Sequence, residues 1–364
     1  MATAIALNSA LFVPNGTTDS ASPTVVFESF ELPATNQRNL GAPHPGGTLT
    51  PLALRPSGQG DDIDLETVIQ TVKSLQARGG ILTEKLAVHG TLLFRGLPIH
   101  NAEDFSRFAH AFGYKPHEII GIVVNRPLLA PNVAPANEAP KERWRNPISS
   151  SLELFNRAKD EIPEFIAEIT EKGILSRVTY KFDRQYEGGS TLKQAFGKEF
   201  QEGDDDSTKK AKIEAQISRY GRGEHTTWEW IEDGVVLTHR LPAVRTQPGT
   251  NLPTLFTGLA AYWQNAQGGN GSRKEVTKQL YGDGTPIPER YLEHLSKITD
   301  EIRVLHKWQQ GDILVYDNII AQHGRQPWEG EQSDRVVLAS LFDGNSVPGA
   351  YNDKSWGQVV QALE

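Results

Sequence analysis

The chain is predicted to be an α+β protein, with a closed or sandwiched β core packed by N-terminal helices. Two observations carry this. Helical periodicity is concentrated early in the chain, and many short strand-like runs crowd its later part. A hydrophobic share of 38%, with 14 Phe and 7 Trp, is enough for a real core in 364 residues.

Residues 1–60 are rich in Pro, Gly, Thr and Asn and are read as an extended arm, with one strand-like run at Thr24–Phe30. Residues 61–364 are read as a single domain. Asp64 caps a helix whose apolar stripe is Leu65, Val68, Ile69, Val72 and Leu75, and Gly79-Gly80 stops it. Thr91–Gly96 reads as a buried strand. Asn101 caps a second helix, with Phe105, Phe108, Ala109 and Phe112 on one face and Gly113 at its end. After a Pro- and Asn-rich stretch, helices resume at Ser150–Ala158 and Pro163–Lys172, and Ile174–Phe182 is a strand.

Residues 186–222 are polar and partly helical, with a solvated acidic run at Asp204–Asp206. Trp228 to His239 alternates on both sides of Asp233-Gly234, which predicts a hairpin with a type I′ turn. Trp228 and Trp230 share one face of it, more simply as packing than as a substrate platform. Strands at Arg240–Arg245 and Leu252–Phe256 follow, then a short helix at Gly258–Asn265 and a longer one at Pro288–Ile302. Strands at Asp312–Asp317 and Val336–Phe342 close the chain around a Gly- and Pro-containing loop.

The formal charge of −8 argues against a nucleic-acid role, because phosphate binding needs a basic face. With no cysteine, disulfides, zinc–thiolate sites, iron–sulfur clusters and thiol nucleophiles are excluded. Any metal must be held by His, Asp or Glu, which favours non-haem iron, manganese or zinc. No apolar run is long enough for a membrane span. Met1–Pro14 lacks a basic start and is interrupted by Asn8, so a cytoplasmic protein is expected.

One stretch carries chemistry. Gly311-Asp312 turns the chain into a strand, Asp317-Asn318 turns it out again, and His323 then sits at the mouth of whatever the strands enclose. Arg335, twelve residues on, opens an apolar strand and would share that mouth if the two strands were neighbours. A neutral imidazole is a good iron ligand, and a guanidinium can hold a carboxylate through two parallel hydrogen bonds. Arg245 and Thr257 could face the same pocket, while Arg325 reads as structural. Gly268–Gly271 is not a phosphate loop, because no Lys-Ser/Thr follows it.

The series Gly-Asp, Asp-Asn, His323-Gly-Arg-Gln-Pro-Trp328 and then Arg335 before an apolar strand resembles the taurine dioxygenase/TfdA-like family, of the fungal, clavaminate-synthase-like type. Weaker likeness runs through Gly90–Gly113 and Thr238–Trp263. The resemblance implies a double-stranded β-helix (jelly roll) that binds Fe(II) and 2-oxoglutarate and oxidises a small molecule, an amino acid or secondary metabolite. It also implies His323 as the distal metal ligand and Arg335 as the partner of the far 2-oxoglutarate carboxylate. Oxidative decarboxylation to succinate and CO2 would drive the oxidation.

That family's first ligand pair is His-x-Asp or His-x-Glu. None of the ten histidines is followed two residues later by Asp or Glu. The chain runs from Pro140-Lys-Glu-Arg-Trp-Arg-Asn146 straight into Pro147-Ile148, which looks like the tail of the family's Gly-Gly-[Asp/Glu]-Thr-Pro run. The simplest reading is a deletion near 142–146, on the order of thirty residues for a ligand strand and its partner. His117-Glu118 is no substitute, since adjacent strand residues point to opposite faces. Three readings stay open: an impaired oxygenase, a non-catalytic β-helix protein that binds a carboxylate, and a metalloprotein recruiting carboxylates from elsewhere. Loss of strands from a closed core also predicts lower solubility or self-association, for instance as a homo-oligomer, relative to a full-length relative.

Overall fold

The computed structural model describes residues 25–58, 63–121, 127–136, 148–183, 190–220, 225–267, 277–324, 329–331, 336–344 and 348–351. The order begins β1 (Val25–Ser29), β2 (Arg38–Asn39), β3 (Leu49–Thr50), β4 (Leu52–Gly58), α1 (Leu65–Ala77), α2 (Ile81–His89), β5 (Thr91–Phe94) and α3 (Ala102–His110). It continues β6 (Lys115–Pro116), β7 (Ala134–Pro135), β8 (Ile148–Ser150), α4 (Ser151–Glu161), α5 (Pro163–Lys172), β9 (Ile174–Lys181), α6 (Leu192–Phe196) and α7 (Asp206–Arg219). Then come β10 (Thr226–Ile231), β11 (Gly234–Leu241), β12 (Val244–Thr246), β13 (Pro253–Leu255), α8 (Leu259–Gln267), β14 (Thr277–Tyr281) and α9 (Glu289–Ile302). The last strands are β15 (Ile313–Tyr316), β16 (Ala321–His323), β17 (Leu338–Ala339) and β18 (Phe342–Asp343).

The helix starts follow their caps. Asp64 accepts from the Thr67 amide, Asn101 from that of Asp104, and Ser150 from that of Glu153. Beyond Gly79-Gly80 the chain re-enters a helix at once, in α2. A separate strand pairing also draws in the N-terminal region. Residues 25–58, expected within an extended arm, form four strands, and β1 and β4 join β5 and β15 in the order β1-β4-β5-β15. Beneath this sheet Phe94 packs edge-on against Phe27 (5.0 Å), Phe108 (5.4 Å) and Phe112 (6.2 Å). The apolar stripe of α1 completes that core.

A second sheet, β10-β11-β9-β14, is antiparallel throughout and packs α6 and α7. Its hairpin corrects the expected turn. Ile231 faces Gly234, so the loop is Glu232-Asp233, and neither residue has the positive φ that a type I′ turn requires. Gly234 serves the sheet instead: a Cβ there would collide with the Tyr180 carbonyl of β9. Trp230 packs as expected, stacked on Phe182 and donating from Nε1 to Glu214 at 2.7 Å.

A third core unites α4, α5, α8 and α9 with β13. The late strands are shorter than expected. Arg240–Arg245 is split between β11 and β12 at Pro242, and Val336–Phe342 is split between β17 and β18. Each of β6, β7 and β8 pairs antiparallel with β18, β17 and β16 respectively. Among the described residues, no helix is long and apolar enough to cross a membrane.

Candidate active site

The strand leading to the site is anchored at its start. Gly311 has φ +79° and approaches so closely that a Cβ would collide with the Leu97 carbonyl oxygen, while the Leu97 amide donates to the Gly311 carbonyl (3.1 Å). Asp312 is clasped by the Arg95 guanidinium through two bonds, Nε to Oδ1 (3.0 Å) and Nη2 to Oδ2 (2.9 Å). Its carboxylate side chain is fully buried. The Gly-Asp pair therefore fixes where β15 leaves the 305–312 loop and joins β5.

β15 then runs antiparallel to β5, with Tyr316 opposite Thr91. At its exit the Asp317 Oδ1 accepts from the Ile319 amide (2.9 Å), and the Asp317 carbonyl accepts from the amides of Ile320 and Ala321. The expected turn-capping role of Asp317 thus holds. Burial pushes its carboxyl above the usual range, opposed by the Ile319 and Ile320 amides. The turn hands the chain to β16, where His323 pairs with Ile148 of β8.

His323 is exposed at this edge and lies against Tyr316, ring centroids 4.3 Å apart with planes inclined by 29°. Burial pushes the Tyr316 phenol up to about 12, so it is neutral at ordinary pH. Two buried hydroxyls, Thr91 Oγ1 and Ser149 Oγ, have no hydrogen-bond partner; they belong to the residues opposite Tyr316 and Gln322. The Tyr316 contact was not foreseen. Its only signal was position, as the last strand residue before Asp317-Asn318.

Next to this edge stand β12 and β13. Gln322 Nε2 donates to the Thr257 carbonyl (3.3 Å), and Thr254 Oγ1 donates to the Ile319 carbonyl (3.4 Å). Thr257 is buried, and its hydroxyl accepts from the Leu259 amide at the start of α8. Arg245, opposite Thr254, is buried as well.

Arg335, Arg325 and the segment 142–146 lie outside the described residues. Among the described residues β16 pairs with β8, and β17, the strand after Arg335, pairs with β7. All ten histidines are described. Among the described residues, no three His, Asp or Glu side chains form a group able to hold a metal ion. Other histidines are engaged elsewhere: His117 with Asp343, His294 with Glu161, His44 with Asn156 and His89 with the Leu49 backbone. Glu118 is held by Arg219, which leaves His117-Glu118 without a shared target. The described residues therefore do not supply a complete metal site.

Comparison with known proteins agrees with the motif. The family model for taurine catabolism dioxygenase TauD, TfdA matches residues 145–340. A clavaminate synthase-like protein of Arabidopsis thaliana is 27% identical over 314 residues, covering 77% of this chain and 88% of that one. The dapdiamide synthesis protein DdaC of Enterobacter agglomerans is 26% identical over 215 residues, covering 56% of this chain and 59% of the other. Among solved structures, AAD-2 in complex with Mn(II) and N-oxalylglycine aligns with a TM-score of 0.37 and 14% identity, covering 87% of this chain and 98% of that one. The chain belongs to the taurine catabolism dioxygenase TauD, TfdA family, jelly-roll oxygenases that depend on a metal and 2-oxoglutarate and act on small molecules.

Proposed function

We propose that this chain is a 2-oxoglutarate-dependent oxygenase whose cosubstrate site outlasts its metal site. In this reading Arg335 grips the far carboxylate of 2-oxoglutarate, and His323 is the surviving ligand for Fe(II), the metal that would activate oxygen when bound. The observation that carries it is the placement of His323 at the end of β16, on the segment whose motif matches the family. The described residues bring no second histidine and carboxylate to it, so no chemical step is assigned to a bound iron.

What these residues do by themselves is position and bind. β8 and the Asp317 turn fix the course of the His323 strand, and the Tyr316 ring supports one side of its imidazole. A guanidinium fork at Arg335 selects a carboxylate. The expected activity is low, because no histidine of the chain is followed two residues later by Asp or Glu. The substrate is a small molecule, an amino acid or secondary metabolite.

The test is an anaerobic titration with Fe(II) and 2-oxoglutarate, read by the charge-transfer absorption of the ternary complex. The expected result is no band at one iron per chain, together with 2-oxoglutarate binding, followed by isothermal titration calorimetry, that Arg335→Met abolishes. A saturating one-iron band lost in His323→Ala would establish a working centre completed by other side chains. Loss of neither signal in these variants would sink both site assignments.

A further inference from the structure

Arg245 is a buried cation with no counter-ion among the described residues. Only 6% of the residue is exposed, and no carboxylate lies within ion-pair distance of it among the described residues. Its Nη1 donates to the Pro348 carbonyl (2.7 Å), and its guanidinium carbon lies 5.0 Å from the centre of the Phe256 ring. The Nε–H is sealed from solvent and has no acceptor. Nη2 makes no hydrogen bond in the described structure and is not among the sealed, unpartnered atoms. A guanidinium is not neutralised at ordinary pH: burial pushes this one down only to about 10.

The surroundings hold this arrangement in place. Pro348–Tyr351 runs beside β12, with the Thr246 amide on the Gly349 carbonyl (3.1 Å) and the Tyr351 amide on the Val244 carbonyl (3.0 Å). Arg245 also forms an isolated bridge with Ala350. One edge of the guanidinium is thereby tied to the Pro348 carbonyl, and along the other edge Nε is buried with no acceptor and Nη2 makes no hydrogen bond in the described structure. Two donors side by side on a planar cation match the two oxygens of a carboxylate. Leaving such a charge buried and unpaired is strongly unfavourable, so a ligand that supplies the missing anion gains both charge and hydrogen bonds.

The position ties this edge to the candidate active site. Thr254, opposite Arg245, donates to the Ile319 carbonyl in the turn before β16, and two residues past β13 the Thr257 carbonyl accepts from Gln322, next to His323. The geometry points to Arg245 as a second carboxylate site, distinct from Arg335, that holds the carboxylate of the small-molecule substrate. This rests on the oxygenase reading for the word substrate, while the carboxylate site stands on Arg245 alone.

The experiment observes the arginine Nε–H signals of the full chain by 15N-resolved NMR, with propionate and 2-oxoglutarate as separate probes. Arg245→Lys, which keeps the charge and removes the fork, identifies the Arg245 signal by its absence. Propionate is expected to shift that signal downfield and saturably in the wild type and in Arg335→Met, and its affinity, read separately by isothermal titration calorimetry, should fall at least tenfold in Arg245→Met and Arg245→Lys but not in Arg335→Met. Propionate binding that is equal in wild type and both Arg245 variants, or a signal that neither probe moves, overturns the proposal. A signal moved by 2-oxoglutarate, with propionate competing for the same place, overturns the substrate assignment. If Arg335→Met leaves 2-oxoglutarate binding intact while propionate still follows Arg245, the cosubstrate reading fails and the Arg245 site is supported.

Discussion

The Tyr316 ring lies against the His323 imidazole with 4.3 Å between centroids. The two residues are separated by the Asp317 turn, so the contact locks the end of β15 to the end of β16. A ring pair of this kind contributes about 0.5–1.5 kcal/mol beyond the area it buries. A double-mutant cycle of Tyr316→Leu and His323→Leu, followed by urea denaturation, should return a coupling energy in that range. A coupling indistinguishable from zero would mean that the His323 ring is held by other contacts.

Gly311 and Asp312 act together where β15 begins. Gly311→Ala forces a Cβ into the Leu97 carbonyl at a positive φ, and neither backbone can yield cheaply. Asp312→Ala strands the Arg95 guanidinium beside a buried vacancy. Removing one partner of a buried pair costs about 3–5 kcal/mol, and the Asp312 variant should lose about that much in chemical denaturation. Replacing both residues, Arg95→Met with Asp312→Leu, should recover most of the loss. If the double variant were as unstable as Asp312→Ala, packing and not charge would be the cause.

Acid should weaken the fold, and His89 is the main reason. Its imidazole is buried, Nδ1 lies 3.0 Å from the Leu49 amide nitrogen, and burial pushes it from 6.5 down to about 4. Between those values the unfolded chain binds a proton that the folded chain refuses, so stability falls as pH drops from about 6.5 to about 4 and levels off below. The difference amounts to about 3 kcal/mol at 1.36 kcal/mol per unit. Burial lowers His44 and His306 as well, in the same direction. His89→Gln should flatten the pH dependence over this window. An unchanged slope would place the effect in the other histidines.

Local signals in the sequence were legible wherever a single residue type controls the backbone. Asp64, Asn101 and Ser150 cap their helices, Pro163 opens α5, and the Asp317 turn forms where expected. What failed was partnership between distant segments. Nothing in residues 25–58 announces that β4 lies parallel to β5, because strand pairing depends on contacts made across the intervening helices. Gly234 was read as a turn residue, yet its value lies in a third strand, β9, that a hairpin pattern does not contain. In the site, the residue that marks the family, His323, stood out by motif. Its neighbour Tyr316 does not, and Arg245 reads only as a strand arginine that could face the pocket, since a side chain's missing partner has no sequence signature.

Arg245 also permits a prediction about stability that runs opposite to the usual effect of truncation. A guanidinium pushed down to about 10 from 12.5 carries about 3 kcal/mol of unfavourable burial relative to water. Its bond to the Pro348 carbonyl returns about 0.5–1.5 kcal/mol of that. Arg245→Met keeps the unbranched stem against Phe256 and removes the charge. The ligand-free variant should therefore be more stable than the wild type by about 1.5–2.5 kcal/mol, as is seen when buried charges give way to apolar side chains. The comparison is made by urea denaturation in carboxylate-free buffer, then repeated with saturating propionate. Propionate should stabilise the wild type and leave Arg245→Met unmoved, narrowing or reversing the gap. A variant that is less stable in both conditions would show that the guanidinium serves the fold, through Pro348 and Phe256, and is not held in reserve for a ligand.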